Sequence, residues 1–391
     1  MFNRLKNLNN TLNNNLQTKV FNFDLLLAIR GIACIMVVFY HGFFPVAEIQ
    51  KNPFVLWSFA LDGSGAVLIF FILSGYLMTK LFQIQKYNWS LSGVWQFYKA
   101  RINRVAPLYW SVIIIATVLA YTSLLQPKNF KKLLSLLTFT QYTKSMDDWV
   151  FASYKWISIG WSLVVEMQFY LVAPLVAYIL IKFRNKFFYS VLALICLALV
   201  YKNTLIESGV QFFTKYNVNF QKTGIAYLPF FVAGGLVCVF LSFEPIKNYL
   251  AKLTWLLPLA LGFLFIFPAV NKINNLVPDL DYGLFYVSLT CLIISLFESF
   301  RYTNKPSVWN YTPKNFLSPK SYLEILGHLS YSVYLWHIIV IYSVGGAIIK
   351  ADYPDWPDTK FFVIRFAITL FWIAVLSLIT RHSIEKLKIF K

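Results

Sequence analysis

The sequence has 391 residues, of which 58% are hydrophobic and only 13% are charged, and its mean hydropathy is +0.60. Soluble globular domains are about half apolar and about a quarter charged, so this composition excludes a soluble enzyme or a soluble binding module. The 38 Phe, 24 Tyr and 12 Trp residues suit a protein with aromatic belts at both membrane surfaces. We therefore expect an all-α fold that crosses the membrane several times.

The apolar segments define the predicted topology. After a polar, asparagine-rich tail over residues 1–20, ten runs approach the ~20 residues that a spanning helix needs. They lie at about 25–44, 65–84, 105–124, 161–182, 187–202, 223–243, 253–270, 282–299, 325–348 and 360–381. The run LLSLLTFTQ after the third is too short to span and is predicted to be re-entrant or interfacial. Residues 21–391 are thus predicted to form a single membrane domain, and no cleavable signal peptide is predicted.

The cysteines carry no motif. Cys34, Cys196, Cys238 and Cys291 all lie in apolar runs, without the spacing of a metal or redox site. We interpret them as buried, small apolar side chains and predict no metal.

Charge sets the predicted orientation. With both termini in the cytoplasm, most of the 35 lysines and arginines fall on the cytoplasmic side, and most acidic residues fall outside. This agrees with the positive-inside rule. The net charge of +19 therefore indicates ordinary topology, contact with anionic lipid and a phosphate-bearing cytosolic ligand, rather than a nucleic-acid partner.

The first span carries two ionisable groups. Arg30 and His41 are eleven residues apart, which corresponds to roughly 16 Å along a helix axis. Ionisable residues inside a membrane are costly and indicate a functional site. Glu166, a turn and a half into the fourth span, is predicted to share the depth of His41 and to orient its imidazole as a general base. The alternative is that both are isolated polar residues satisfied by backbone or lipid headgroups.

Two further arginines open the third span. Arg101 and Arg104 are three residues apart and so share a helix face, where two guanidiniums can bind a phosphate. They could equally be snorkelling anchors at the membrane surface. Arg30 enters from the same side but too deeply to snorkel, which favours an anion site built from all three.

The other candidates are weaker. In the second span Gly63, Gly65, Ser74 and Gly75 favour close helix packing, and Asp62 marks its outer end. Ser74 and Asp62 are also candidates for substrate binding, together with His337 in the middle of the ninth span.

Five segments together resemble the acyltransferase-3 family of polytopic membrane acyltransferases. In chain order they are RGIACIMVVFYH, FFILSGYL, RINRVAPLYW, WSLVVEMQFYL and LGHLSYSVYLWH. The sequence departs from the family pattern at Leu27 and Ala28, where an Asp-Gly is common, and at Val164 and Met167, beside Glu166. The last departure argues against a mechanism with two adjacent carboxylates.

The resemblance implies an activity. Family members move an acyl group, usually acetyl, from cytosolic acyl-CoA to a hydroxyl of a cell-envelope glycan or another acceptor. It implies that Arg30, Arg101 and Arg104 bind CoA and that His41 acts as general base or transient acyl carrier. It also implies a location in the plasma membrane of a bacterium. The chain ends soon after its last span, so we expect a stand-alone membrane module, with a separate extracytoplasmic acyltransferase as a candidate partner.

Two other classes remain open. A secondary transporter would also be polytopic, but it is expected to show repeat symmetry and interrupted helices at the midplane. A lipid-linked glycosyltransferase would need an outward-facing metal or acid pair, for which Asp147 and Asp148 are the candidates.

Overall fold

A computed structural model describes most of the chain. The described residues are 24–42, 62–141, 157, 160–184, 223–274, 281–303, 319–348, 352 and 358–385. Within these ranges the chain is helical and contains no strand. The helices are α1 (Leu25–Gly42), α2 (Gly63–Gln83), α3 (Leu91–Leu119), α4 (Phe130–Leu137), α5 (Gly160–Lys182), α6 (Gly224–Phe240), α7 (Glu244–Lys252), α8 (Leu257–Asn274), α9 (Tyr282–Thr303), α10 (Pro319–Ala347) and α11 (Asp358–Ser383).

Six of these helices are long and apolar enough to cross a membrane, namely α2, α3, α5, α9, α10 and α11. The pair α6 and α7, bent by 98° at its break, would make a seventh if counted as one span. The shorter apolar helices cover Leu25–His41 and Thr254–Pro268. The predicted all-α, multi-span architecture is thus confirmed. Helices lie at nine of the ten predicted spans, whereas the span at 187–202 and the tail over 1–20 lie outside the described residues.

The prediction places the start of the third span too far along the sequence. The structure starts α3 at Leu91 and not near 105, because Ser90 caps it by accepting a hydrogen bond from the backbone N–H of Gly93. A hydropathy criterion misses the polar first half of α3, because it detects runs of apolar residues and not the residues at which helices begin. As a result, Arg101 and Arg104 lie in the middle of a long helix and not at its beginning.

Close helix crossings hold the bundle together. The most extensive packing joins α1 to α10, followed by α2 to α6. At the first crossing, a Cβ on Gly327 would lie 1.9 Å from the carbonyl oxygen of Leu27. At the second, a Cβ on Gly75 would lie 1.8 Å from that of Phe231. Only glycine allows these backbones to approach so closely, which confirms the packing role predicted for Gly75.

The run LLSLLTFTQ forms the short helix α4 and the turn after it. α4 is fastened to α3, since Trp110 donates its indole N–H to the carbonyl of Leu137 at 2.8 Å. The three described cysteines are free thiols. Cys34 and Cys238 are buried, as predicted, whereas Cys291 is half-buried and Cys196 lies outside the described residues.

Candidate functional site

A partly open cavity of about 60 Å³ lies among α1, α2, α3, α5 and α10. Its lining combines an apolar wall with converging polar groups, as in small-molecule sites. One wall is apolar and comes mainly from α2. The polar lining consists of Arg30, Ser74, Arg104, Ser162, Glu166, Tyr170, Ser330, Tyr331 and Tyr334.

Two of the predicted anion-binding arginines reach this cavity together. Arg30 comes from α1 and Arg104 from α3, and each is close enough to act electrostatically on the other. Within the described part of the chain, neither guanidinium forms a hydrogen bond or an ion pair. Two unpaired guanidiniums facing one cavity are poised to bind an anion, because their mutual repulsion is relieved by a phosphate placed between them.

Arg101 is placed differently. Its guanidinium lies over the rings of Phe97 and Tyr170, at 5.7 and 5.9 Å from their centroids, and contacts the sulfur of Met78 at 3.7 Å. Its Nε is buried without a hydrogen-bond partner among the described residues. The cation–π contacts hold Arg101 behind Tyr170 and Met78, which both line the cavity. Arg101 therefore lies behind the cavity wall, next to the Arg30 and Arg104 pair.

Glu166 is the acid of this site. One carboxylate oxygen accepts a hydrogen bond from Ser74 at 3.0 Å and a second from the hydroxyl of Tyr170. Its negative charge also acts on Arg30. The predicted orientation of His41 by Glu166 is not seen in the structure: Glu166 lines the cavity together with Arg30 and acts on its charge, and His41 is not part of that lining. The position of a residue within its own helix does not fix the axial offset between two helices.

We predict that both hydrogen bonds to Glu166 matter for stability. Ser74→Ala and Tyr170→Phe should each lower the free energy of unfolding by about 1.5–3 kcal/mol, the range for hydrogen bonds to a charged group. Thermal unfolding in detergent measures the effect. Ser295→Ala is the control, because the one hydrogen bond of Ser295 to a described residue goes to the carbonyl of Cys291 in its own helix, at 2.7 Å. Equal effects in all three variants would contradict a special role for the Glu166 network.

His41 has a different neighbour. Its ring lies 5.3 Å from the ring of His337, between centroids, and 5.1 Å from that of Tyr40. His337 is fully buried, whereas His41 is exposed at the last turn of α1. α1 and α10 thus bring together a predicted catalytic residue and a predicted substrate-binding residue, although the sequence did not indicate that they meet.

The remaining candidate residues differ in whether they belong to the cavity. Ser74 lines the cavity and is bonded to Glu166, so it is part of the site. Asp62 caps α2 by accepting a hydrogen bond from the backbone N–H of Ser64 at 3.1 Å, and it is not part of the cavity lining. Asp147 and Asp148 lie outside the described residues. In the described ranges no three His, Cys, Asp or Glu side chains are grouped as metal ligands.

The structure adds residues that we did not predict. Ser162 and Tyr334 share a hydrogen bond of 2.6 Å across the cavity wall, and Tyr331 donates to the carbonyl of Val105 at 2.5 Å. The hydroxyl-rich segments WS and SYSVY were visible in the sequence. Tyrosine and serine are too common in apolar spans for that signal to be decisive.

Comparisons with known proteins show which family the chain resembles. A sequence-family model described as an acyltransferase domain matches residues 25–380. The chain is 24% identical over 307 residues to the O-acetyltransferase OatA of Staphylococcus aureus strain NCTC 8325, covering 73% of this chain and 47% of OatA. It is also 24% identical over 346 residues to SACOL0978 of S. aureus strain COL, named as a candidate O-acetyltransferase, covering 83% of this chain and 52% of that protein. The chain thus spans about half the length of these relatives. No solved structure matches it.

Proposed function

Since this chain belongs to the acyltransferase-3 family, we propose that it is a membrane O-acetyltransferase that uses cytosolic acetyl-CoA or another acyl-CoA as donor. The acceptor is a hydroxyl of a cell-envelope glycan, either a polysaccharide or a lipid-linked oligosaccharide. The protein lies in the plasma membrane of a bacterium, with both termini in the cytoplasm and ten spans. A separate extracytoplasmic acyltransferase is a candidate partner. The names of the two S. aureus relatives support the reaction class.

The observation that carries the proposal is the pair of unpaired guanidiniums in the cavity. CoA has several phosphates at one end and its thioester at the end of a long, flexible arm. Arg30 and Arg104 suit the phosphate end, and Arg101 adds positive charge behind them. When no donor is bound, Glu166 reduces the net positive charge of the cavity. Its negative charge also stabilises the Arg30 guanidinium inside an apolar helix bundle.

His41 is suited to act at the thioester end of the donor. It lies on the same helix as Arg30, far enough away to be reached by an extended thioester arm. As general base its Nε2 takes the proton of the acceptor hydroxyl while the hydroxyl oxygen attacks the thioester carbonyl. The C–S bond breaks, and the proton passes to the departing sulfur, which leaves as the CoA thiol. As a transient acyl carrier, Nε2 would instead attack the thioester first.

The test is CoA release by the purified protein in the presence of acetyl-CoA and mixed envelope glycans. We expect release that depends on both additions and acetyl label on the glycan. Direct binding of acetyl-CoA is measured in parallel. Binding without release would mean that the acceptor preparation or a partner is missing. Absence of binding would overturn the donor assignment, and flux of a solute through proteoliposomes without chemistry would favour the transporter alternative.

We predict that Arg30 acts mainly on donor binding. Arg30→Gln should raise the KM for acetyl-CoA by roughly 10- to 100-fold, because it removes a charge-assisted bond to phosphate. Its thermal stability should not fall, since the guanidinium has no hydrogen-bond or ion-pair partner in the described structure. Arg365→Gln is the control, because Arg365 is also a half-buried arginine of an apolar helix but lies outside the cavity. An equal change in KM in both variants would contradict the proposal.

A further inference from the structure

His41 and His337 carry their protons on the same ring nitrogen. Nδ1 of His41 lies 3.0 Å from the carbonyl oxygen of Val37, and Nδ1 of His337 lies 2.6 Å from that of Tyr334. A carbonyl only accepts hydrogen bonds, so each Nδ1 must donate. Each neutral ring therefore has a bare lone pair on Nε2, on the edge turned away from its own helix.

The second of these lone pairs is enclosed in the protein. His337 has no exposed surface, and its Nε2 has no hydrogen-bond partner in the described structure. A buried acceptor without a donor is unfavourable and requires an explanation, such as a functional role or a bound group. The closest histidine is His41, at 5.3 Å between ring centroids. Two acceptors side by side repel each other until a proton is placed between them.

The pair also stands next to the donor cavity. Tyr334 lines that cavity, and its ring lies 5.5 Å from the ring of His337. His41 contacts no carboxylate in the described part of the chain, since its partners are the carbonyl of Val37 and the rings of Tyr40 and His337. Among these residues no carboxylate is therefore placed to stabilise an imidazolium at His41, as one would be in a catalytic triad.

We propose that His337 is a positioning residue that stabilises the protonated form of His41. This inference rests on the proposed function. The proton leaves the acceptor hydroxyl and is held on Nε2 of His41, where Nε2 of His337 accepts a hydrogen bond from it. The new C–O bond forms, the C–S bond breaks, and the same proton then passes to the sulfur of CoA. His337 itself ends the reaction unchanged, with its proton still on Nδ1.

Two substitutions separate this role from a structural one. His337→Asn keeps an N–H near the Nδ1 position for the carbonyl of Tyr334 but removes the acceptor at Nε2. His337→Gln places an amide near the Nε2 position, where its oxygen can accept. We expect His337→Asn to lower kcat by roughly 10- to 100-fold, as for loss of one hydrogen bond to a charged group, with an unchanged KM for acetyl-CoA. His337→Gln should recover a substantial part of the loss.

The opposite order of activities in the two variants would overturn the proposal. If His337→Asn retains activity, or if His337→Gln is the less active of the two, then the bond to Tyr334 is what matters. Failure of the wild type to release CoA would instead overturn the proposed function, which keeps the two failures distinct. If both variants fail to fold, the ¹⁵N spectrum of the histidine-labelled wild type decides the question. Bare Nε2 atoms on both rings support the proposal, whereas a proton on Nε2 of His337 contradicts it.

Discussion

Replacing His41 by alanine is expected to lower CoA release by about 10²- to 10⁴-fold, the contribution of a positioned general base. Binding of acetyl-CoA should be retained, because Arg30 lies roughly 16 Å away along α1 and Arg104 lies on α3. The fold should also persist, since His41 is exposed and its bond to Val37 lies within its own helix. Rates of CoA release and equilibrium binding of acetyl-CoA measure the two effects separately.

His382 provides a closely matched control. It is also exposed in the last turn of a helix, and its Nδ1 donates to the carbonyl of Leu378 at 2.9 Å, just as His41 donates to Val37. His382→Ala should therefore behave as the wild type. Equal losses in the two variants, or full activity in His41→Ala, would remove His41 from the chemistry. Labelled acetyl trapped on His41 during a single turnover would select the acyl-carrier route over direct transfer.

Gly327→Ala is expected to be severely damaging, because Gly327 lies at the most extensive helix crossing among the described residues. The new Cβ would lie 1.9 Å from the carbonyl oxygen of Leu27, and that atom is backbone, so the clash is relieved only if α1 and α10 separate. Overpacking of this kind costs about 1–3 kcal/mol or more. The separation would also pull His41 away from His337. We expect a marked fall in the yield of folded protein, a lower unfolding temperature and loss of activity.

The matched substitution lies on the same helix. At Gly346 an added Cβ has no atom within 4 Å, so Gly346→Ala introduces a methyl group into open space. It should leave folding and activity unchanged, or stabilise α10 slightly through the better helix propensity of alanine. Size-exclusion profiles and thermal unfolding in detergent compare the pair. If both variants behave alike, the close crossing at Gly327 is not what holds α1 against α10.

Hydropathy predicted most helices because the criterion that identifies a span depends only on local composition. It failed where the start of a helix depends on a capping residue and not on apolar composition. α3 starts at Leu91 because Ser90 caps it, and in its polar first half only Gly93 and Phe97 are buried. The same local character explains the misplaced partner of His41. Periodicity indicates which residues share a face of one helix, but it carries no information on the axial shift between helices.

The residues of the candidate site divide along the same line. Arg30, Arg104 and Glu166 were found because charge in an apolar span is rare and therefore informative. Ser162 and Tyr334 were missed because their side chains are unremarkable in such a span and acquire meaning only from each other. The contact between His41 and His337 joins the first described helix to the tenth, and nothing local in either segment specifies the other.

The joining of α1 to α10 has a consequence for how the protein is made. Cys34 bonds the carbonyl of Ser330 and the backbone N–H of Asp24 bonds Glu324, contacts that span 296 and 300 positions of the sequence. During synthesis α1 enters the membrane long before α10 exists. Until α10 is made, Arg30 is therefore surrounded by lipids or by transient protein neighbours. Contacts between distant segments form late, because long stretches of chain must be closed into loops. The contact between His41 and His337 is therefore completed only near the end of translation, and a prematurely released nascent chain would contain Arg30 and Arg104 but lack the α10 wall of the cavity.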